Sequence, residues 1–157
     1  MKIHFWSIGK SHELYVKAGI DLFTKRINYY FPVESKIIAS PKNANALLPN
    51  DLKKAESESI LHLLQPGDFL VILDEKGKQM SSEQLAGFMQ KKANDRARNI
   101  IFLVGGAYGL DEIVKKRADV VWSLSMLVFP HQLVRLILAE QIYRACTIIK
   151  NEKYHHS

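Results

Sequence analysis

Ile100-Ile101-Phe102-Leu103-Val104 runs without a break into Gly105-Gly106. Five consecutive apolar residues leave no face for water, and the run is too short for a helix. It therefore reads as a strand covered on both sides. Upstream, Phe69 to Leu73 (FLVIL) has the same character behind the turn Pro66-Gly67-Asp68, and Lys2 to Ile8 forms a third such run that stops at Gly9. Val33 to Ala39, after Pro32, and Val120 to Leu124 supply two more strands. Helical periods lie between them. Ser11 is placed to cap a helix carrying Leu14, Val16, Ile20, Phe23 and Ile27, and Asp51 opens another with Ala55, Ile60, Leu63 and Leu64 on its apolar side. Ser40 to Pro49, rich in Pro, Asn and Lys, is a surface loop. Ser82 precedes a helix from Glu83 to Lys92, with Leu85, Phe88 and Met89 facing in. Leu110 to Arg117 is a short helix, and Pro130 to Lys150 a long one. Buried strands alternating with helices predict an α/β fold: a parallel sheet with helices on both faces, in a single domain over residues 1–157.

Composition agrees. A chain of 157 residues with 47% apolar and 24% charged residues is globular and of one-domain size. The apolar segment Leu133 to Ala139 is far short of a membrane span and holds Arg135, and the first ten residues have no signal-peptide core. One cysteine, Cys146, cannot form an intrachain disulfide, which suits a reducing cytoplasm. Residues 1–75 carry 9 Lys/Arg against 9 Asp/Glu; residues 76–157 carry 13 against 7, so the whole net charge of +6 sits in the second half. An excess on one side suits a polyanionic partner, and equally a solvated basic face.

Ligands of open parallel sheets bind beyond the carboxyl ends of the strands. Three such ends carry unusual residues here: Leu73 to Lys78, Gly105-Gly106-Ala107-Tyr108-Gly109, and Ser123 to His131. Gly105-Gly106-x-x-Gly109 is neither the dinucleotide fingerprint nor a P-loop, and by itself it reads first as a strand-to-helix turn. Leu124 to Phe129 is apolar up to Pro130, where a helix should start; it either encloses a flat heterocycle or plugs the core. On the last helix, Glu140 and Arg144 have ion-pair spacing, Arg135 reads as an ordinary surface cation, and His131 as a helix-start residue. The histidines lack partners at metal-ligand spacing, no nucleophile triad can be composed, and Cys146 reads as packing.

The pieces taken in order resemble a known family. Ile8-Gly9-Lys10, Leu73-Asp74-x-x-Gly77-Lys78, Val104-Gly105-Gly106-x-x-Gly109-Leu110, Trp122-Ser123-Leu124-Ser125, Phe129-Pro130-His131, Leu133-Val134-Arg135, Glu140-Gln141-x-Tyr143-Arg144-Ala145 and Tyr154-His155 are similar to the small bacterial 23S rRNA pseudouridine N3-methyltransferases of the SPOUT superfamily. The resemblance spans essentially the whole chain; only Ala107-Tyr108 departs, where a more polar pair is expected. It implies a deep trefoil knot near the C-terminus, a homodimer, and S-adenosylmethionine held by Leu73, Gly105 and the run Leu124, Ser125, Met126, Leu127, Val128 and Phe129. It implies a pseudouridine of 23S rRNA on the assembled ribosome as substrate; no metal and no membrane are expected from the histidine spacing and the short apolar runs.

Methyl transfer to N3 of a uracil ring needs the imide proton removed and the resulting anion stabilised. The candidates that the resemblance offers are His131, Arg144, Tyr154 and His155, with Glu140 acting through Arg144. Arg144 or the tail would steady the anionic base, and His155 or a water would take the proton. Lys76, Lys78, Lys115, Lys116 and Arg117 are expected to touch phosphates. Two other classes fit parts of the sequence. A noncatalytic ribosome-associated protein fits the same fold, and a flavodoxin-type nucleotide-binding enzyme fits the strand–helix alternation but not the charge asymmetry.

Overall fold

The computed structural model describes residues 1–155. Among them, five strands form one sheet: β1 (Lys2–Ile8), β2 (Val33–Ile38), β3 (Phe69–Gln79), β4 (Asn99–Val104) and β5 (Val120–Ser123). The helices are α1 (Leu14–Ile27), α2 (Pro49–Leu63), α3 (Ser82–Asn94), α4 (Glu112–Arg117) and α5 (His131–Ile149). The strand order is β2-β1-β4-β3-β5, and every pair is parallel.

Alternation along the buried strands divides the apolar residues between two cores. Ile3, Phe5, Val71, Ile100 and Phe102 face α1, α3 and α5, joining Val16, Leu85, Met89, Leu138 and Ile142. Trp6, Ile8, Leu70, Ile72, Ile101 and Leu103 face the other way, onto Ile60 of α2 and Val114 of α4. Both faces are covered, as the continuous apolar runs require. From β4 the chain crosses β3 to reach β5 at the sheet edge. It then returns as α5 to the opposite face, where it packs against α1 and α3.

Several boundaries differ from the sequence reading, each for a local reason. Ser11 does not cap α1, which begins at Leu14 behind Glu13; the Ser11 carbonyl accepts from Gln132 Nε2 instead. α2 opens two residues before Asp51, with Pro49 in its first turn where the missing N–H costs nothing. The loop before α2 contains a 3-10 turn at Ala44–Ala46. Ser81, not Ser82, caps α3, in a reciprocal capping box with Gln84. α4 starts at Glu112, capped by Asp111, and Pro130 stands just before α5 rather than within it.

The largest difference is in β3. It continues past Leu73 to Gln79, with both Leu73 and Lys78 paired to Trp122 and residues 74–77 bulging out between them. Gly77 makes this possible: a Cβ there would stand 2.7 Å from the backbone of Val121 and Trp122.

Candidate active site

A cavity of about 470 Å³ opens where the carboxyl ends of β3, β4 and β5 meet the start of α5, a size usual for a small-molecule site. One wall is apolar, from Leu73, Leu124, Leu127, Val128, Phe129 and Val134. The opposite wall is backbone, Gly105 to Gly109, and the rim is charged, with Lys53, Asp74, Glu75, Lys76, Lys115 and His131. The bulge of β3 is what brings Asp74 to the rim. Its carboxylate meets the Lys115 ammonium at 2.9 Å and accepts from the Lys76 N–H at 2.9 Å. Burial opposes ionisation of Asp74, but Lys115 and that N–H outweigh it and hold the carboxyl below its usual range.

The glycine wall rests on α2. Glu56 and Ser57 are buried there, although a solvated helix face would be the ordinary place for both. Ser57 Oγ accepts from the Asp111 N–H at 3.3 Å, and a Cβ on Gly106 would stand 2.8 Å from Glu56 Oε2. Lys53, Glu56, Ser57 and Ile60 have i, i+3, i+4, i+7 spacing, so one face of α2 supports the loop and sends Lys53 to the cavity. The sequence reading had not singled out Lys53, Glu56 or Ser57; their common stripe with buried Ile60 was the available signal.

The expected cofactor residues Leu73, Gly105, Leu124, Ser125, Leu127, Val128 and Phe129 all line this cavity. Met126 does not, and is 88% exposed. Ser125 Oγ accepts from the Leu127 N–H at 3.0 Å, a tight turn that throws the intervening Met126 outward.

The expected catalytic residues fall into two groups. His131, the first residue of α5, is at the cavity. Glu140, Arg144 and Tyr154 form a cluster of their own further along. Glu140 Oε1 accepts from Arg144 Nε at 3.1 Å, from Arg144 Nη2 at 2.6 Å and from the Tyr154 hydroxyl at 3.1 Å. Gln141 Nε2 donates to Glu140 Oε2 at 2.6 Å. The Arg144 guanidinium lies over the Tyr154 ring, 4.9 Å from its centroid. Burial, then the Glu140 charge, raise the Tyr154 pKa, so its hydroxyl is a donor and not a base. His155 Nε2 stands 2.6 Å from Glu83 Oε1, at the start of α3. The Ser81 hydroxyl, the Glu83 N–H and this imidazole together lower the Glu83 carboxyl to about 2. With about 1.5 Å of rise per helical residue, Glu140 lies about 13 Å along α5 from His131 and Arg144 about 20 Å. Within one chain, the cavity and the tail cluster are apart.

The basic residues also divide. Lys76, Lys78 and Lys116 are exposed. Lys115 is occupied by Asp74, and Arg117 is turned to the opposite end of the sheet, donating to the Asp68 carbonyl at 2.9 Å and pairing with Asp119. Arg135 is buried, not a surface cation. Cys146 is packing, and burial pushes its thiol up to about 12. Among the described residues, no three His, Cys, Asp or Glu side chains converge as a metal would require, and no helix is long and apolar enough to cross a membrane.

A family model described as "Predicted SPOUT methyltransferase" matches residues 1–155. The chain belongs to the SPOUT methyltransferase family. Two relatives named "Ribosomal RNA large subunit methyltransferase H" show how full the match is. The protein from Cytophaga hutchinsonii is 48% identical, covering 99% of this chain and 100% of its own. That from Parabacteroides distasonis is 45% identical, with 99% of both chains covered. Among solved structures, a probable methyltransferase from Bordetella pertussis superposes with a TM-score of 0.58 over 92% of this chain and 93% of its own. At 12% identity it supports the fold alone.

The cavity of this SPOUT chain suits a methyl donor with a flat base and a charged amino-acid end. The apolar run can cover a heterocycle, and the glycine backbone admits close approach. The charged rim offers both signs. The indole N–H of Trp122, a buried lining residue, has no partner among the described residues.

Proposed function

We propose that this chain is an S-adenosylmethionine-dependent methyltransferase that modifies N3 of a pseudouridine in 23S rRNA, acting as a cytoplasmic homodimer on the assembled ribosome. The observation that carries the proposal is the cavity itself. Three loops that the sequence marked independently converge on one site at the strand ends, in a chain whose full-length relatives are named as large-subunit rRNA methyltransferases. The trefoil knot belongs to the same reading, supported by the crossing of β3 and the return of α5 against α1 and α3.

S-adenosylmethionine, when bound, supplies a methyl group on a sulfonium for in-line displacement by nitrogen. Leu73 and the Leu124–Phe129 run, without Met126, would hold its adenine, and Gly105 and Gly106 would lie along its length. Arg144 has Nε and Nη2 on Glu140, which fixes the guanidinium plane and leaves Nη1 to face an anionic uracil oxygen. Tyr154 positions Glu140. His155 or a water bonded to it receives the N3 proton, and Glu83 orients the imidazole. Exposed Lys76, Lys78 and Lys116 meet phosphates. Because Arg144 lies about 20 Å from His131 along α5, the complete site uses the cavity of one copy and the tail of another. Exposed Leu14, Tyr15 and Met126 to Val128 near the α5 start offer apolar surface for that contact.

The deciding experiment is transfer of labelled methyl from S-adenosylmethionine to ribosomes that lack the modification, compared with free large subunits and naked rRNA. Label recovered in N3-methylpseudouridine, strongest from assembled ribosomes, is the expected result. Absence of label in all three, with donor binding intact, would overturn the enzymatic assignment in favour of a ribosome-associated binding protein.

A further inference from the structure

Glu56 is only 6% exposed. Its Oε1 accepts a hydrogen bond from the Ser40 hydroxyl at 2.5 Å, and its Oε2 accepts none among the described residues. Among those residues no Lys, Arg or His nitrogen stands within 4.0 Å of it. Lys53, one turn earlier on α2, faces the cavity instead. A largely buried carboxylate whose one side-chain partner is a hydroxyl is favoured by a nearby positive charge.

The place of this charge is what gives it meaning. Oε2 lies 2.8 Å from where a Cβ of Gly106 would be, and Gly106 lines the cavity. Between the carboxylate and the cavity stands a residue with no side chain. The other carboxylate drawn into this wall, Asp74, is neutralised by Lys115, while Glu75 and Lys76 are exposed and screened by solvent. Glu56 is thus the buried carboxylate of this wall with no cation within 4.0 Å among the described residues, and Lys53 is a cation on the same lining.

We infer that Glu56 sets a charge preference in the cavity, favouring a cationic sulfonium donor over its neutral thioether product. This rests on the reading that the cavity takes S-adenosylmethionine. In the transfer the sulfur–methyl bond breaks, its electron pair stays on sulfur, and N3 gains the methyl as it loses its proton. The ligand thus loses one positive charge beside Glu56, and the field that held the donor no longer holds the product. Glu56 is a specificity-determining residue acting through space, and it takes no part in bond making.

The test is calorimetric binding of three ligands to the full chain: S-adenosylmethionine, S-adenosylhomocysteine, and the aza analogue with a protonated nitrogen in place of the sulfonium. Wild-type protein should bind both cations more tightly than the thioether. Glu56→Gln should reduce that preference by about tenfold while thioether affinity moves by no more than about twofold, as expected for one unit charge about 12 Å from the sulfonium at an effective dielectric of about 20. Ser40→Ala, which keeps the carboxylate, should preserve the preference. Equal weakening of all three ligands in Glu56→Gln would make Glu56 a prop for the glycine loop and overturn the inference. So would a wild-type protein that binds the thioether as tightly as the cations, a result that needs no variant to fold. If the wild type bound none of the three, the S-adenosylmethionine reading itself would fall.

Discussion

Arg135 is a charge held inside the protein by carbonyl oxygens rather than by a carboxylate. Its Nη2 donates to the Ile8 carbonyl at 2.9 Å, and its Nη1 to the Lys10 carbonyl at 2.9 Å and to His12 Nδ1 at 3.3 Å. Burial lowers its pKa; burial and then the guanidinium lower that of His12, which keeps that ring neutral and able to accept. The fork thus ties the end of β1 to the first turns of α5, and Gln132 adds bonds to Ser11 and Glu13 beside it. Arg135→Met should remove about 3 kcal/mol of stability, because it strands the buried Ile8 carbonyl and leaves the Lys10 carbonyl to solvent as well as deleting the bonds. Arg135→Lys should recover only part, since an ammonium cannot span both oxygens as a planar fork does. Urea unfolding would show this as a lower midpoint at unchanged slope. The sequence did contain the sign of burial: Arg135 is in helical register with Leu138, Ala139 and Ile142, all inside. Reading it as a surface cation gave residue type more weight than register.

The elements themselves were legible because their apolar residues are distributed as burial demands. Strands β1, β3 and β4 have continuous apolar runs, and each core-facing helix has its stripe. Boundaries were less legible, since Ser11 and Asp51 are good capping types whose turns were settled by tertiary partners and by Pro49. The continuation of β3 was not legible at all. Asp74-Glu75-Lys76-Gly77-Lys78-Gln79 has neither alternation nor apolar content; only the partner strand reveals why it is extended. Gly77 is the pivot of that partnership. Gly77→Ala would drive a Cβ to 2.7 Å from the Val121 and Trp122 backbone, which has no flexible side chain to yield. The substitution should cost about 1–3 kcal/mol, as overpacking does. The damage should concentrate at the edge strand β5, where hydrogen exchange of Val121 and Trp122 amides would speed up well before that of β1 and β4. Because the same bulge carries Asp74 to the rim, donor affinity should fall with it.

At the scale of the molecule, the sequence marked three loops that line one cavity but could not say that its catalytic candidates would divide. Helical rise alone separates His131 from Arg144, whereas the docking of the tail on Glu140 and Glu83 had to be seen. The division is what makes a dimer a chemical requirement of the proposed reaction, and it can be tested without knowing the dimer's geometry. Ser125→Trp should fill the cavity while leaving the tail intact, and Arg144→Ala should disable the tail cluster while leaving the cavity open. Each variant alone should be inactive. After subunit exchange at equal concentrations, half of the dimers are mixed, and each of those has one intact cavity facing one intact tail. Methyl transfer should then recover to about a quarter of the wild-type rate, as random pairing in a two-fold assembly dictates. If instead each chain completed its own site, no pairing would unite a sound cavity with a sound tail, and the mixture would stay as inactive as its parts. Sedimentation of the same samples separates that outcome from a failure to dimerise, and recovery of mixed dimers through an affinity tag on one variant separates it from a failure to exchange. Recovery would place catalysis between subunits and explain how this fold assembles both a donor pocket and a grip on the target base.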